Sequence, residues 1–108
     1  MNKFETVLLL SPDLSSSLKS KSLKEFEDIV QQNNGKIIAT EDWGLRDISY
    51  SIKNINKSFY SYYQIEIENK KIEHLKKTLN QKENFIRHLF IKVNKHQELP
   101  TKLNHEKK

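Results

Sequence analysis

The chain has 108 residues, of which 35% are hydrophobic and 31% charged, and it contains no cysteine. This length fits one domain with one modest core. The lack of cysteine excludes disulfides, thiolate metal sites and cysteine nucleophiles. No apolar run approaches the roughly 20 residues of a membrane-spanning helix, or the ~7–15 residues of a secretory signal. We therefore expect a soluble cytosolic protein that has no membrane partner.

The charge balance is basic, because 19 Lys+Arg face 14 Asp+Glu and leave a net charge of +5. Such an excess suits a polyanion such as nucleic acid. However, 17 of the 19 basic residues are lysine and ten asparagines accompany them, a bias that an AT-rich genome produces on its own. The charge alone therefore permits a nucleic-acid partner without selecting one.

The first predicted strand is the short apolar run Phe4–Leu10, which is closed by Ser11-Pro12-Asp13. That length and ending are typical of a buried central strand followed by a stop. A helix should follow, and Asp13 or one of the serines at 15–17 can cap it by accepting N–H groups of its first turn.

The first helix carries an apolar stripe, since Leu23, Phe26 and Val30 recur at helical spacing. Asn33-Asn34-Gly35 ends it. We expect Gly35 to take the left-handed conformation there, because glycine has no Cβ to clash.

The second predicted strand is long and begins at Lys36. Trp43-Gly44-Leu45 interrupts its alternation of apolar and polar residues, and a glycine inside a strand pattern indicates a bulge or a kink. We predict that Gly44 lets the strand bend and that Trp43 covers the bend. Tyr50 lies in the later half of the strand, on one face with two isoleucines.

A polar hairpin loop is predicted at Lys53–Ser58, and a third strand at Phe59–Ile67. Residues of a strand alternate between the two faces of a sheet. One face of this strand should carry Phe59, Tyr63, Ile65 and Ile67, and the other should carry Tyr60, Tyr62, Gln64 and Glu66.

Asn69 can cap a second helix, whose narrow apolar stripe consists of Ile72, Leu75 and Leu79. The last strand is Phe85–Val93, and both of its faces are apolar enough that alternation does not identify the core side. After this strand, apolar residues no longer recur at helix or strand spacing. We therefore predict one domain at residues 1–94 and a flexible basic tail at residues 95–108.

The element order is βαββαβ. Right-handed crossovers then place two helices on one face of a four-stranded antiparallel sheet, which is the α+β, ferredoxin-like split βαβ fold. The first and third strands lie in the centre of this sheet, and the second and fourth strands form its edges. No predicted helix covers the opposite face.

The sequence offers no constellation for catalysis. The four histidines are dispersed, the adjacent acidic pairs diverge in direction, and two glycines cannot form a glycine-rich phosphate loop. We expect no enzyme activity, no cofactor, no metal and no small-molecule ligand.

Binding surfaces remain. Tyr60 and Tyr62 should project from the uncovered face, where RNA-recognition motifs carry stacking aromatics. The glycine-containing signature of that motif is absent, and tyrosine is also a good strand former. A stand-alone RNA-recognition domain and an oligomerising or ligand-sensing domain of the same fold both stay open.

Arg46 and Arg87 are the only two arginines of this lysine-rich chain. A guanidinium offers a planar fork that matches a phosphate or a carboxylate, which lysine does not. Internal ion pairs with Glu5 or Asp47 are the alternative explanation.

Together these segments resemble the bacterial small-subunit ribosomal protein six family, from Phe4 to about Val93. The most specific part is "EDWGLRDISYSI" at residues 41–52, which is similar to the family's E-D-W-G-x-R-x-L-A-Y-x-I element. "FETVLLLSPDL", "GKI" and "FIRHLFIKV" resemble further family segments. Phe4, where tyrosine is usual, and Ser51, where proline is common, depart from the pattern.

The resemblance implies a structural component of the small ribosomal subunit in the cytoplasm. It implies binding to small-subunit ribosomal RNA in the central domain, together with small-subunit ribosomal protein eighteen, and a tail that orders against the neighbouring protein. It marks Trp43, Gly44 and Tyr50 as a structural motif. The candidates for RNA or partner contact are Lys3, Arg46, Lys53, Arg87 and Lys92. Of these, Lys3 and Lys53 rest on their positions beside strands and not on the motif.

Overall fold

The computed structural model describes residues 2–52 and 55–96, with residues 48–52 and 55–56 described by their backbone alone. The elements in chain order are β1 (Asn2–Leu10), α1 (Ser16–Gln32), β2 (Lys36–Ile52), β3 (Ile55–Ile67), a 3₁₀ turn (Asn69–Lys71), α2 (Ile72–Asn80) and β4 (Phe85–Val93). The strand order is β2-β3-β1-β4, with every neighbouring pair antiparallel. This confirms the predicted split βαβ fold. The predicted tail lies outside the described residues from position 97 onward.

The core lies between one face of the sheet and the two helices. Alternate residues of β1 point into it, and the predicted stripes of both helices meet them. The fully buried apolar side chains include Leu8, Leu10, Phe26, Val30, Ile65, Ile67, Leu75 and Leu79. Burying each such side chain contributes about 1.5–3 kcal/mol, so this layer stabilises the fold more than any surface contact does.

Helix α1 begins at a serine cap. The Leu18 amide donates to the hydroxyl of Ser15 at 3.2 Å, and Ser15 has extended backbone angles. Ser15 is therefore the residue, among the predicted candidates, that satisfies a free N–H group of the first turn.

The end of α1 differs from the prediction. Asn34, and not Gly35, takes the left-handed conformation, with φ of 64°. Asparagine tolerates this region better than most residues because its short side chain bonds locally. Gly35 has a different role: a Cβ there would lie 2.7 Å from Val30 Cγ1 and 3.1 Å from the Glu66 carbonyl oxygen, so the helix end could not approach β3 as closely.

Strand β2 contains the predicted bulge. The pairing with β3 shifts between Asp42 and Gly44, and Gly44 has φ of +77°. Only glycine enters this region without a steric penalty. The Gly44 amide donates to the Asp42 carboxylate at 2.8 Å, which fixes the irregular turn of the backbone.

The hairpin loop is shorter than predicted. Strand β3 already begins at Ile55, and Lys57 and Ser58 pair with Asp47 and Arg46. The predicted loop at residues 53–58 was too long because an antiparallel ribbon pairs through its main chain and needs no apolar alternation. Lys53 and the side chain of Tyr50 lie outside the described part of the chain.

The second helical segment is not capped by Asn69 as predicted. Asn69 opens the 3₁₀ turn and its amide donates to Asn2 Oδ1 at 3.0 Å, so a side chain of β1 satisfies this N–H group. No side-chain cap bond forms at the start of α2. Sequence spacing could not reveal this contact, because the two residues are 67 positions apart.

Strand β4 also carries a bulge. Leu9 pairs with Arg87 but Leu10 pairs with Phe85, so the register shifts there. The shift places Phe85 and Phe90 on the helix side, and Arg87 on the opposite side. Alternation failed to identify the core side because the bulge reverses it within the strand.

Candidate nucleic-acid and protein interface

The sheet face opposite the helices is the candidate site. No helix among the described residues covers it. The β1 residues that point away from the core pair with the set of β3 residues predicted for this face, and residues from the other strands join them. Its members include Lys3, Glu5, Val7 and Leu9 from β1, Tyr60, Tyr62, Gln64 and Glu66 from β3, and Arg87, Leu89, Ile91 and Val93 from β4.

Trp43 lies flat on this face against Tyr62. The ring centroids are 5.3 Å apart and the planes differ by 8°. Trp43 Nε1 donates to a carboxylate oxygen of Glu41 at 2.9 Å, and the Gln64 amide donates to the Tyr62 hydroxyl at 3.1 Å. Offset stacking with both polar tips bonded holds the bulge rigidly, which supports the predicted structural role of the tryptophan.

Because Tyr62 is buried under the indole, it cannot stack against a nucleic-acid base. The tyrosine is 2% exposed, whereas Tyr60 is half-buried. The face predicted for Tyr60 and Tyr62 is therefore correct, but the surface that base stacking needs is present at Tyr60 alone of the two. The observation weakens the alternative of a stand-alone RNA-recognition sheet.

Arg46 is held against the same tryptophan. Its Nε donates to the Trp43 carbonyl oxygen at 3.1 Å, and its guanidinium carbon lies 5.0 Å from the indole centre. A cation over an indole face is attracted by the ring quadrupole. The β2 edge of the open face therefore carries a stack of side chains, in which Trp43 contacts both Arg46 and Tyr62.

An apolar strip crosses the other half of the face. It consists of Val7, Leu9, Leu89 and Ile91, where Val7 pairs with Leu89 in neighbouring strands. Leu89 is 53% exposed and Ile91 is 49% exposed. Arg87 stands exposed beside the strip, opposite Leu9. Sequence reasoning missed this strip, because alternation alone could not tell which face of β4 points away from the helices.

The lysine candidates lie on different faces of the sheet. Lys3 lies on the open face and forms an ion pair with Glu66 at 3.8 Å, while Lys92 is paired with Phe4 and lies exposed on the helix side of β4. The structure therefore brings Lys3, Arg46 and Arg87 to one face. It leaves Lys92 on the other face, and Lys53 is outside the described residues.

The helix side of the sheet carries two polar contacts to α1, one from β3 and one from β2. The Tyr63 hydroxyl donates to Glu27 at 2.9 Å, and burial together with this hydrogen bond raises the pKa of Tyr63 far above its ordinary value. Lys19 and Asp42 form an ion pair at 3.0 Å. Partial burial alone would raise the pKa of Asp42, but the hydrogen bonds from Lys19 and the Gly44 amide outweigh burial and lower it. The Tyr63 contact fastens α1 to β3, and the Asp42 contact fastens it to the edge strand β2.

The described residues suit docking more than chemistry. Among them, no group of three or more histidine or acidic side chains could hold a metal ion, and no helix is long and apolar enough to cross a membrane. The open face instead combines aliphatic side chains, a rigid aromatic stack and guanidinium groups.

Comparison with known families decides the identity of the chain. The sequence model of the family described as ribosomal protein S6 matches residues 3–92. The chain belongs to the ribosomal protein S6 family. The resemblance inferred from residues 41–52 and the other segments is thereby confirmed.

Curated relatives extend over most of the chain. It is 33% identical over 96 residues to small ribosomal subunit protein bS6 of Christiangramia forsetii, covering 89% of this chain and 86% of the relative. It is 37% identical over 93 residues to the protein of the same name from Rickettsia prowazekii, covering 86% and 77%. Among solved structures, 30S ribosomal protein S6 from Thermotoga maritima superposes with a TM-score of 0.80 at 18% identity, covering 85% of this chain and 87% of that one.

Membership in the ribosomal protein S6 family fixes the broad role. Proteins of this family are structural and non-enzymatic components of the small ribosomal subunit, so the expectation that the chain is not an enzyme is confirmed. The predicted location, the ribosome in the bacterial cytoplasm, is confirmed as well.

Proposed function

We propose that this chain binds small-subunit ribosomal RNA in the central domain, in concert with small-subunit ribosomal protein eighteen. The observation that carries the proposal is the open sheet face, on which the apolar strip lies directly beside Arg87. A surface of this composition suits a protein partner and a polyanion at the same time.

The apolar strip is the part of the proposal that concerns a protein partner. Aliphatic side chains gain about 25 cal/mol for each Å² that is removed from water, and they offer no hydrogen bonds to phosphates or sugars. Burying Leu89 and Ile91 against an apolar protein surface would therefore contribute the most binding free energy. RNA would leave them without a matching partner.

The charge of the chain supports RNA binding that depends on that partner. A net charge of +5 allows only a few phosphate contacts. Each contact releases condensed counterions, so affinity falls steeply with salt. Tight binding therefore requires the added charge and surface of protein eighteen, and the two proteins should bind cooperatively.

The proposal is tested by titrating a transcript of the small-subunit central domain with each protein alone and with both together. Cooperative assembly predicts an affinity for the pair that exceeds that of either protein by tenfold or more, equivalent to about 1.4 kcal/mol. Equal affinity with and without protein eighteen would contradict the proposal.

A matched pair of variants tests the apolar strip. Leu89→Lys places a charge in the strip, whereas Leu45→Lys makes the same change at a residue of β2 with similar exposure, 49% against 53%. We expect Leu89→Lys to abolish the cooperative gain and Leu45→Lys to retain it. Equal reductions in both variants would show that the strip has no special role in docking the partner.

A further inference from the structure

Six lysines from separate segments of the chain meet at one end of the sheet. This end is where β1 and β2 begin and where β3 and β4 finish. The lysines are Lys3, Lys36, Lys70, Lys71, Lys92 and Lys95, and we call them the basic pole.

The register of the sheet brings the strand lysines together. Lys36 pairs with Glu66 of β3, and Glu66 pairs in turn with Lys3 of β1. Lys92 of β4 pairs with Phe4, which is next to Lys3, and Lys95 follows two residues after the end of β4. Neighbouring strands are about 4.8 Å apart, so the four-strand width of the pole is roughly 15 Å.

The 3₁₀ turn adds two more lysines at the same end. The Asn69 amide donates to Asn2 Oδ1 at 3.0 Å, which anchors the turn beside the start of β1. Lys70 and Lys71 follow immediately.

The pole carries an excess of positive charge that is large relative to the net charge of the chain. Six lysines face two glutamates there, Glu66 and Glu68, an excess of four against a net charge of +5 for the whole chain. Lys36, Lys70, Lys92 and Lys95 are exposed. A concentrated cluster of positive charge produces a stronger local field than the same charge dispersed over a surface, so this end attracts phosphates most strongly.

Among the described residues, no exposed phenylalanine, tyrosine or tryptophan lies at the pole. Phe4, the aromatic residue nearest to it on β1, is buried in the core. The stack of Trp43 on Tyr62 lies two or more pairing steps further along the sheet. Lysines without stacking partners fit the sugar–phosphate backbone, whose contacts position a protein without reading sequence.

We propose that the basic pole is the surface that contacts the phosphate backbone of RNA, and that it is separate from the apolar strip that docks the protein partner. This inference rests on the proposed function, because it locates the RNA contact within it. It adds Lys36, Lys70, Lys71 and Lys95 to the candidates, and it assigns Lys3 and Lys92 to RNA and not to the partner.

The test compares two triple variants of the full chain with the same change in net charge. The pole variant is Lys36→Gln, Lys70→Gln and Lys92→Gln. The control variant is Lys21→Gln, Lys24→Gln and Lys77→Gln, whose three positions are exposed on the helices outside the pole. Each is titrated with the central-domain transcript and protein eighteen at several salt concentrations, after urea unfolding has shown an unchanged midpoint.

The salt dependence of binding reports how many phosphates the chain neutralises. Removing one phosphate contact should reduce the slope of log affinity against log salt by about 0.7–0.9. We expect the slope for the pole variant to fall by about 2 and its low-salt affinity by tenfold or more. The control variant should keep the wild-type slope.

Three other outcomes would overturn the inference. Equal reductions in both variants would show that net charge matters and the location does not. A pole variant that keeps the wild-type slope would place the RNA contact elsewhere, and the proposed function would still stand because the wild type binds. A wild type that does not bind the transcript with protein eighteen present would refute the proposed function itself.

Discussion

Trp43 and Tyr62 stack with centroids 5.3 Å apart on a sheet face that no described helix covers. The indole is only 8% exposed although it belongs to an edge strand. Its burial against Tyr62 therefore stabilises the bulge. We predict that Trp43→Ala lowers the free energy of unfolding by about 3 kcal/mol or more. Equilibrium unfolding in urea measures this decrease.

Two further variants serve as comparisons for the loss of stability in Trp43→Ala. Trp43→Phe keeps a ring against Tyr62 but removes the hydrogen bond to Glu41, so it should cost less than Trp43→Ala. Tyr60→Ala removes an aromatic ring from the same face at a half-buried position. If Tyr60→Ala costs as much as Trp43→Ala, the stack has no particular stabilising role.

The two glycines should respond to substitution for different reasons. Gly44 has φ of +77° and nothing lies within 4 Å of a Cβ built there, so Gly44→Ala incurs only the backbone penalty, about 1–2 kcal/mol. Gly44→Asn should cost less, because asparagine tolerates the left-handed region. Thermal or urea unfolding of both variants checks this order, and a smaller decrease in stability for alanine than for asparagine would refute it.

Gly35→Ala should destabilise through a steric clash. The new Cβ would meet Val30 Cγ1 at 2.7 Å and two carbonyl oxygens at 3.0 and 3.1 Å. Combining it with Val30→Ala should relieve part of the clash, so the two changes should cost less together than the sum of their separate costs in a double-mutant cycle. Strict additivity would show that Val30 is not the obstacle.

The fold could be predicted because its strongest signals are local. The alternation in β3 matched the observed faces residue for residue, and the helical stripes at Phe26 and Leu75 matched the buried core. Each of these patterns depends only on the side-chain periodicity of a single helix or strand that buries one of its faces. The bulge at Gly44 was predictable for the same reason, since a glycine inside a strand pattern has a local meaning.

Most of the features that the sequence did not reveal depend on how distant segments meet. The bulge of β4 is a shift in its pairing with Leu9 and Leu10 of β1. This shift determines that Leu89 faces away from the helices. The cap on Asn69 comes from Asn2. Tyr62 was placed on the correct face, but its burial depends on Trp43 folding over it. The basic pole likewise appears only when four segments of the chain are brought to one end, so neither the sequence spacing nor the total charge could reveal it.

The serine cap of α1 gives a direct stability prediction. Ser15→Ala removes the acceptor of the Leu18 amide, and it should cost about 1 kcal/mol in the free energy of unfolding. Ser16→Ala, one position further on and exposed, is the control and should change stability little. Ser15→Asp should keep the cap. A decrease in stability on Ser15→Asp as large as that on Ser15→Ala would argue against capping as the cause.

The pH dependence of stability should depend on His88. Its Nε2 lies 3.1 Å from Asn80 Oδ1, and burial, followed by the positive charge of Lys76, lowers its pKa below the ordinary value. The unfolded chain therefore binds the proton more readily. The contribution of His88 is complete above about pH 6.5 and is lost as the pH falls through the lowered pKa.

We expect the wild type to lose more stability between pH 7.5 and pH 5 than His88→Gln does, as measured by urea unfolding at both pH values. His74→Gln is the control, because His74 is exposed on α2 and its replacement should leave the wild-type difference in place. Lys76→Gln removes the neighbouring charge and should raise the pKa of His88, which an NMR titration of the imidazole follows directly. A titration that places the His88 pKa above that of an unfolded histidine would reverse the sign and contradict the assignment.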